Sequence, residues 1–366
     1  MVNGGILVRK IRVLVVDDSP VFRRLITEAL KVDREIEILG TASNGKEALQ
    51  KAQALKPDVI TLDIEMPVMD GLTALKELRR VYPKAKVIMF SSLTEKGAKE
   101  TIKALSLGAF DFVTKPSTSS LSQSLKRIKE ELLPKIKHAV PRPVVRPIAR
   151  PRTAVRSLHP PSRPVGRPMV VGRREVVAIG VSTGGPRALS EIMPEFPADF
   201  PAPVLIVQHM PPLFTAQLAQ RLDQIAKLKV VEASQGMPVV PGRVFIAPGD
   251  HHMEVREAGG VKTIHLHKGP PENSCRPAVD VLFRSVAQVY GGKSVGVILT
   301  GMGQDGLKGA QQMKEKGALI IAQDEATSVV YGMPRAVVEA GLADWVLPLP
   351  EIPKILQQIF RQRIAA

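Results

Sequence analysis

Residues 175–187 read EVVAIGVSTGGPR, an apolar, β-branched segment (Val176, Val177, Ile179, Val181) that runs straight into Ser182, Thr183, Gly184, Gly185 and Pro186. A short hydrophobic run ending in such a turn predicts a buried strand entering a helix. The two glycines permit a tight turn with close backbone approach, and Pro186 suits the first helical position. Ser182 is thereby expected at the carboxyl end of the strand, beside the unsatisfied N–H groups of a helix start. Taken alone, this describes either a phosphate cradle or a nucleophile with an oxyanion hole.

The same pattern recurs downstream. The apolar run 204–207 ends at Gln208-His209-Met210-Pro211-Pro212, and the run 294–299 stops at Thr300-Gly301-Met302-Gly303-Gln304-Asp305-Gly306. Shorter strands are expected at 230–232, 244–247, 263–267 and 318–323, with helices over 187–195, 214–228, 277–289 and 332–340. In a parallel sheet the strand ends share one edge, so Ser182, His209 and Asp305 can meet in a crevice at a switch point. A hydroxyl, an imidazole and a carboxylate together make an activated nucleophile: the serine attacks, His209 takes its proton and Asp305 orients the ring. Backbone N–H groups near Thr183 and Met302 are candidates for the oxyanion hole. Each residue alone is a weak signal; an aspartate between glycines is usually a turn former. The order Ser-His-Asp also departs from the α/β-hydrolase order, and G-x-S-x-G is absent. The coincidence of all three at strand ends carries the reading.

The upstream half alternates strand and helix five times in residues 10–125. Its strands end in Asp17 and Asp18, in Asp63, in Ser91 and before Lys115. The pattern is that of an open, doubly wound parallel sheet. Three carboxylates converging on one edge repel each other and call for a divalent cation, for which hard oxygen donors suit Mg²⁺. A lysine and a hydroxyl beside them are what a phosphoryl group needs.

At these residues the chain resembles known families. VVDDS, LDIEMPVMDG, FSS and VTKP are similar to the receiver domain of two-component response regulators. That resemblance implies Asp63 as phospho-acceptor, and Asp17, Asp18, Asp63 and the Glu65 carbonyl as Mg²⁺ ligands. It also implies Ser91 and Lys115 as phosphoryl contacts and Phe112 as a rotameric switch. AIGVSTGGP, VQHMPPLFT, IAPGDHHME, GPPENSCRPAVDVLF, VILTGMGQDG and IAQDEATSVVYGMPRA resemble the catalytic domain of the CheB family of chemotaxis protein-glutamate methylesterases. The implied activity is hydrolysis of receptor γ-glutamyl methyl esters with release of methanol, and deamidation of receptor glutamines. Ser182 is then the nucleophile, His209 the base, Asp305 the orienter and Met302 an oxyanion-hole residue. No cofactor is implied in the esterase site. The implied partners are methyl-accepting chemotaxis receptors as substrate and a chemotaxis histidine kinase, CheA, as phosphodonor. The unphosphorylated receiver is expected to cover the Ser182 crevice.

The fold expected is thus α/β: two doubly wound parallel-sheet domains, a flavodoxin-like receiver and a Rossmann-like methylesterase domain, joined by a Pro/Arg-rich linker. The boundaries expected are 9–130 for the receiver, 131–173 for the linker and 174–360 for the catalytic domain. Residues 134–174 hold two lysines, nine arginines and no acidic residue, +11 of the chain's formal +16. Proline every few residues blocks helix and like charges repel, so this stretch is read as an extended tether. The basic residues therefore do not form a nucleic-acid-binding face, and no helix-turn-helix follows. A nucleotide or S-adenosylmethionine site would want an acidic residue closing a second strand, where Gln208-His209 stands instead. No apolar run is long enough to span a membrane and no cleavage site follows the start, so a cytoplasmic protein is expected. Single Cys275, in an Arg- and Pro-rich loop with no base beside it in sequence, is read as structural. His251, His252, His265 and His267 are too few per face to read as a metal site.

Overall fold

The computed structural model describes residues 9–116, 120–140 and 173–361. Its first half contains β1 (Ile11–Val16), α1 (Pro20–Lys31), β2 (Ile36–Ala42), α2 (Gly45–Leu55) and β3 (Val59–Asp63). It continues through α3 (Gly71–Val81), β4 (Lys86–Ser91), α4 (Glu95–Ser106), β5 (Asp111–Thr114) and α5 (Leu121–Ala139). The strands pair in parallel in the order β2-β1-β3-β4-β5, which puts the switch point between β1 and β3. Helices begin where the sequence supplies an acceptor. Asn44 Oδ1, Asp70 Oδ1 and Thr94 Oγ1 take the first-turn N–H groups of Glu47, Thr73 and Gly97, each satisfying one orphan donor.

Helix α5 runs past residue 130, through Pro134, to Ala139. The apolar stripe Ile128, Leu132, Ile136 and Ala139 stays buried along its whole length, and that burial outweighs the hydrogen bond lost at proline. Lys135 and Lys137 therefore belong to this helix. Residues 141–172, which hold most of the expected tether, lie outside the described residues.

The second half begins with β6 (Val176–Val181), α6 (Gly185–Ile192), β7 (Val204–Gln208), α7 (Phe214–Asp223), β8 (Lys229–Glu232) and β9 (Arg243–Ile246). A hairpin of β10 (His252–Ala258) and β11 (Val261–His267) precedes α8 (Val279–Tyr290) and β12 (Ser294–Ile298). Then come α9 (Leu307–Glu315), β13 (Leu319–Gln323), α10 (Met333–Glu339), β14 (Trp345–Leu347) and α11 (Ile352–Arg361). Seven strands pair in parallel in the order β14-β13-β12-β6-β7-β9-β8. The chain leaves β6 toward β7 on one side and returns to β12 on the other, so the crevice opens beyond the ends of β6 and β12. Strands β6, β7, β12 and β13 are buried throughout, as expected of a sheet covered on both faces.

The two halves share a seam. Helix α4 packs against α6 and α7, and one buried apolar cluster runs from Leu75, Ile102, Leu105 and Phe112 to Leu189, Phe214 and Leu218. No described helix is long and apolar enough to cross a membrane.

Candidate functional site

Ser182 follows β6 and His209 follows β7; Val181 pairs with Gln208, so the two residues stand side by side. The turn after Ser182 depends on Gly184, whose φ of 80° lies in the left-handed region and whose Cβ position is filled by Val329. Gln208 Nε2 donates to the Ser182 carbonyl at 3.0 Å, which fixes the turn from the neighbouring strand. Asp305 lies in the loop beyond β12, and His209 Nε2 meets its Oδ2 at 2.7 Å. Ser182 and His209 line one cavity of about 500 Å³ with Cys275 and Met302. No hydrogen bond joins Ser182 Oγ to the imidazole among the described residues, a looseness common before substrate binds.

The Asp305 carboxylate is held on all sides. Besides His209 it accepts from the N–H groups of Val279 (2.6 Å), Asp280 (3.1 Å) and Gly306 (3.0 Å) and from Asn273 Nδ2 (2.8 Å). Val279 and Asp280 open α8, so the carboxylate caps that helix at its positive end. Burial opposes ionisation of Asp305, but the hydrogen bonds from His209, Val279 and Asp280 outweigh it and hold its pKa below the usual range. An ionised Asp305 keeps a proton on Nε2 and leaves Nδ1 as the basic nitrogen of His209. Asn273 also donates to Asp280 Oδ2 at 2.9 Å, tying the two carboxylates into one network.

Nδ1 faces Cys275 Sγ at 3.6 Å. The sequence shows no base beside Cys275, but the folded loop sets the thiol beside this imidazole. Burial works against protonation of His209, but its bonds to Asp305 and Cys275 prevail and raise the ring to about 10. The N–H groups of Thr183 and Met302, the expected oxyanion donors, have no hydrogen-bond partner among the described residues. His251, His252, His265 and His267 each hydrogen-bond a neighbouring group of the chain. Buried His252 accepts from the Ala278 N–H at Nδ1 (3.2 Å) and donates from Nε2 to the Pro270 carbonyl (3.0 Å).

The first domain roofs this cavity with Phe112, Thr114, Arg127, Glu131 and Lys135. Phe112 stacks on Phe214, with ring centroids 4.7 Å apart and planes 9° from parallel. Thr183 Oγ1 donates to Asp111 Oδ2 at 2.8 Å, and Lys135 Nζ lies 2.9 Å from the same oxygen. The residue after Ser182 is thus bonded directly to β5 of the other domain.

At the far end of β5, Lys115 Nζ lies 2.9 Å from Asp17 Oδ2 and 2.7 Å from Asp63 Oδ2. Asp17, Asp18 and Asp63 each bring a carboxylate oxygen within 4.8 Å of the others, the single such group among the described residues. Burial and the charge of Asp17 push Asp63 up to about 7 even with Lys115 beside it. One ammonium among three carboxylates leaves negative charge in excess, so a hard divalent cation fits this cluster. Ser91 Oγ, buried, donates to the Gly97 carbonyl at 3.1 Å, while the Glu65 side chain pairs with Lys96 at 2.9 Å.

Residues 177–356 match the family described as CheB methylesterase, and residues 13–126 match the response regulator receiver domain. A protein-glutamate methylesterase/protein-glutamine glutaminase of Nocardioides sp. is 49% identical over 360 residues, covering 96% of each chain. One of the same description from Symbiobacterium thermophilum is 50% identical over 357 residues, 94% of this chain and 95% of that one. The crystal structure of the Thermotoga maritima CheB methylesterase catalytic domain aligns with a TM-score of 0.50 at 48% identity, covering 51% of this chain and all of that domain.

Proposed function

The chain belongs to the CheB methylesterase family, with a response regulator receiver domain ahead of the catalytic one, and on that premise we propose that it hydrolyses γ-glutamyl methyl esters of chemoreceptors and deamidates their glutamines. Ser182 Oγ attacks the γ-carbonyl carbon while its proton passes to His209 Nδ1. The N–H groups of Thr183 and Met302 take the oxyanion. Collapse breaks the C–O bond, and methoxide leaves with the proton from His209 as methanol. Water, deprotonated by the same nitrogen, then releases the carboxylate and restores Ser182. A glutamine side chain follows the same course with ammonia as leaving group. The observation that carries this reading is the imidazole locked through Nε2 on the five-fold hydrogen-bonded Asp305, in a cavity that Ser182 lines with it. Ser182→Ala should abolish methanol release from methylated receptor and leave phosphorylation of Asp63 intact. Turnover near that of the unaltered chain would refute the serine assignment.

Control is proposed to come from the receiver. A phosphoryl group on Asp63, supplied by a histidine kinase such as CheA, is contacted by Lys115 and Ser91. Mg²⁺ held by Asp17, Asp18, Asp63 and the Glu65 carbonyl would offset the charge of carboxylates and phosphoryl oxygens there. Drawing Lys115 toward the phosphoryl group loosens β5, and with it the Asp111–Thr183 bond and the Phe112–Phe214 stack that support the covered state.

A further inference from the structure

Each of the two N–H groups proposed for the oxyanion hole belongs to a peptide whose carbonyl is tied down. The Ser182–Thr183 and Gly301–Met302 bonds are trans, so the N–H and C=O of each point in opposite directions. The Gly301 carbonyl accepts from the N–H groups of Gly332 and Met333 at 3.0 and 2.9 Å, and main chain alone turns the Met302 N–H the other way. The Ser182 carbonyl accepts from the Gly185 N–H at 2.8 Å and from Gln208 Nε2 at 3.0 Å. Gln208 is thus the one side chain bonded to either carbonyl among the described residues. Thr300 braces the groups on either side, its carbonyl taking the Ser182 N–H at 3.0 Å and its hydroxyl donating to the Thr183 carbonyl at 2.9 Å. The plane between them is left to Gln208 and Gly185. Gln208 is only 2% exposed, and its Nε2 also donates to the His209 carbonyl at 3.2 Å. Its Oε1 is shut off from water and has no partner among the described residues. Turning the amide over would set Oε1 against two carbonyls and strand Nε2, so the orientation is fixed by the donor. A Cβ at Gly185 would overlap Oε1, so the second glycine of the turn is what admits the carboxamide. An apolar side chain would fill this buried place without stranding an acceptor, which points to a use for the donor.

We infer that Gln208 is a positioning residue of the esterase: through the Ser182 carbonyl, its carboxamide sets the plane of the Ser182–Thr183 peptide and keeps the Thr183 N–H aimed where the oxyanion develops. The inference rests on the hydrolase reading given above and adds how one of its two oxyanion donors is held. Gln208 is buried and acts through Thr183, not on the substrate. Donors that are already oriented when charge appears on the carbonyl oxygen stabilise the tetrahedral intermediate most. Without the carboxamide, the Ser182 carbonyl keeps only the Gly185 N–H and the peptide can rock. A group displaced by about 1 Å can forfeit up to ~100-fold in rate. The charge is largest in the transition state, so the loss falls on kcat and not on KM.

The test is methanol release from methylated receptor by the full chain carrying Gln208→Met, which keeps an unbranched buried side chain of similar length and lacks the carboxamide. A histidine kinase is present as phosphodonor so that covering does not set the rate, and rates are taken per folded chain. A fall in kcat of roughly ten- to a hundredfold is expected, with KM and the acid limb of the pH profile unmoved. An unchanged kcat overturns the inference, whatever happens to the melting temperature. A matching rise in KM would mean that substrate binding was lost, and a displaced acid limb that the residue acts through His209; either overturns it. Gly185→Ala approaches the same contact from the other side, since its methyl displaces the carboxamide with Gln208 still in place. It should reproduce the fall in kcat, and the double variant should fall no further than the larger single loss. A double loss equal to the product of the two singles overturns the inference. Ser182→Ala is assayed alongside. Should it retain activity, the hydrolase reading falls and the role of Gln208 with it; should it be inactive while Gln208→Met keeps full kcat, the positioning role alone falls.

Discussion

Between Asp305 and Cys275, His209 has both ring nitrogens occupied, and both contacts favour the imidazolium. In the proposed mechanism His209 is the base and must start neutral, so anything that raises the ring's pKa suppresses activity near neutral pH and moves the acid limb of the rate profile upward. Removing Cys275 takes away one of the raising contacts. Cys275→Ala should therefore shift the acid limb of kcat/KM to lower pH by about half to one unit, the size of one modest hydrogen bond. An unmoved limb, or one displaced upward, would show that the thiol does not act on the base. The pairing of His209 with Asp305 was legible in the sequence, because both close apolar strands and parallel strand ends converge. Cys275 and Asn273 were not. They reach the imidazole and Asp305 from a loop whose return path no periodicity encodes, and Cys275 lies 66 positions from its partner.

Among elements, β5 carries the most distinctive burden. Its four residues begin with Asp111 and Phe112 on the Ser182 side and lead into Lys115 on the acidic cluster. Four strand residues span only ~13 Å. Phe112→Ala removes the ring stacked on Phe214, a loss of about 1.5–3 kcal/mol in covered-state burial. The basal rate of the unphosphorylated chain should rise by roughly ten- to a hundredfold, in step with that energy, until the uncovered rate is reached. A basal rate that stays put would sink the covering role of this face. Strands β1, β3, β6, β7 and β12 were readable because they are buried on both faces and so appear as unbroken apolar runs. The hairpin was read as a single strand over 263–267. Its other member, β10, buries only His252, Met253 and Val255, and β14 is three residues long.

Across the whole molecule, the fold class was within reach of the sequence and the interface was not. Phe112, Leu105 and Leu189 carry helix or strand periodicity that says they are buried, yet nothing local says against what. In the folded chain they are buried partly against the opposite domain. The chain's charge divides similarly. Most of the excess lies in 134–174, while Arg79 and Arg187, single residues far apart in sequence, line one cavity in the seam.

The stacked rings and the continuous apolar cluster give the seam a thermal character. Wetting hydrophobic surface carries a large positive heat capacity, so the enthalpy of opening itself changes with temperature. The ratio of unphosphorylated to phosphorylated esterase rates, plotted as its logarithm against inverse temperature, should therefore curve, passing through a minimum where the cover fits most tightly. A straight line would mean that polar contacts such as Asp111–Thr183 dominate the closure. With curvature, the unphosphorylated esterase would leak on both cooling and warming from one preferred temperature, a calibration written into the seam by the phenyl rings of Phe112 and Phe214.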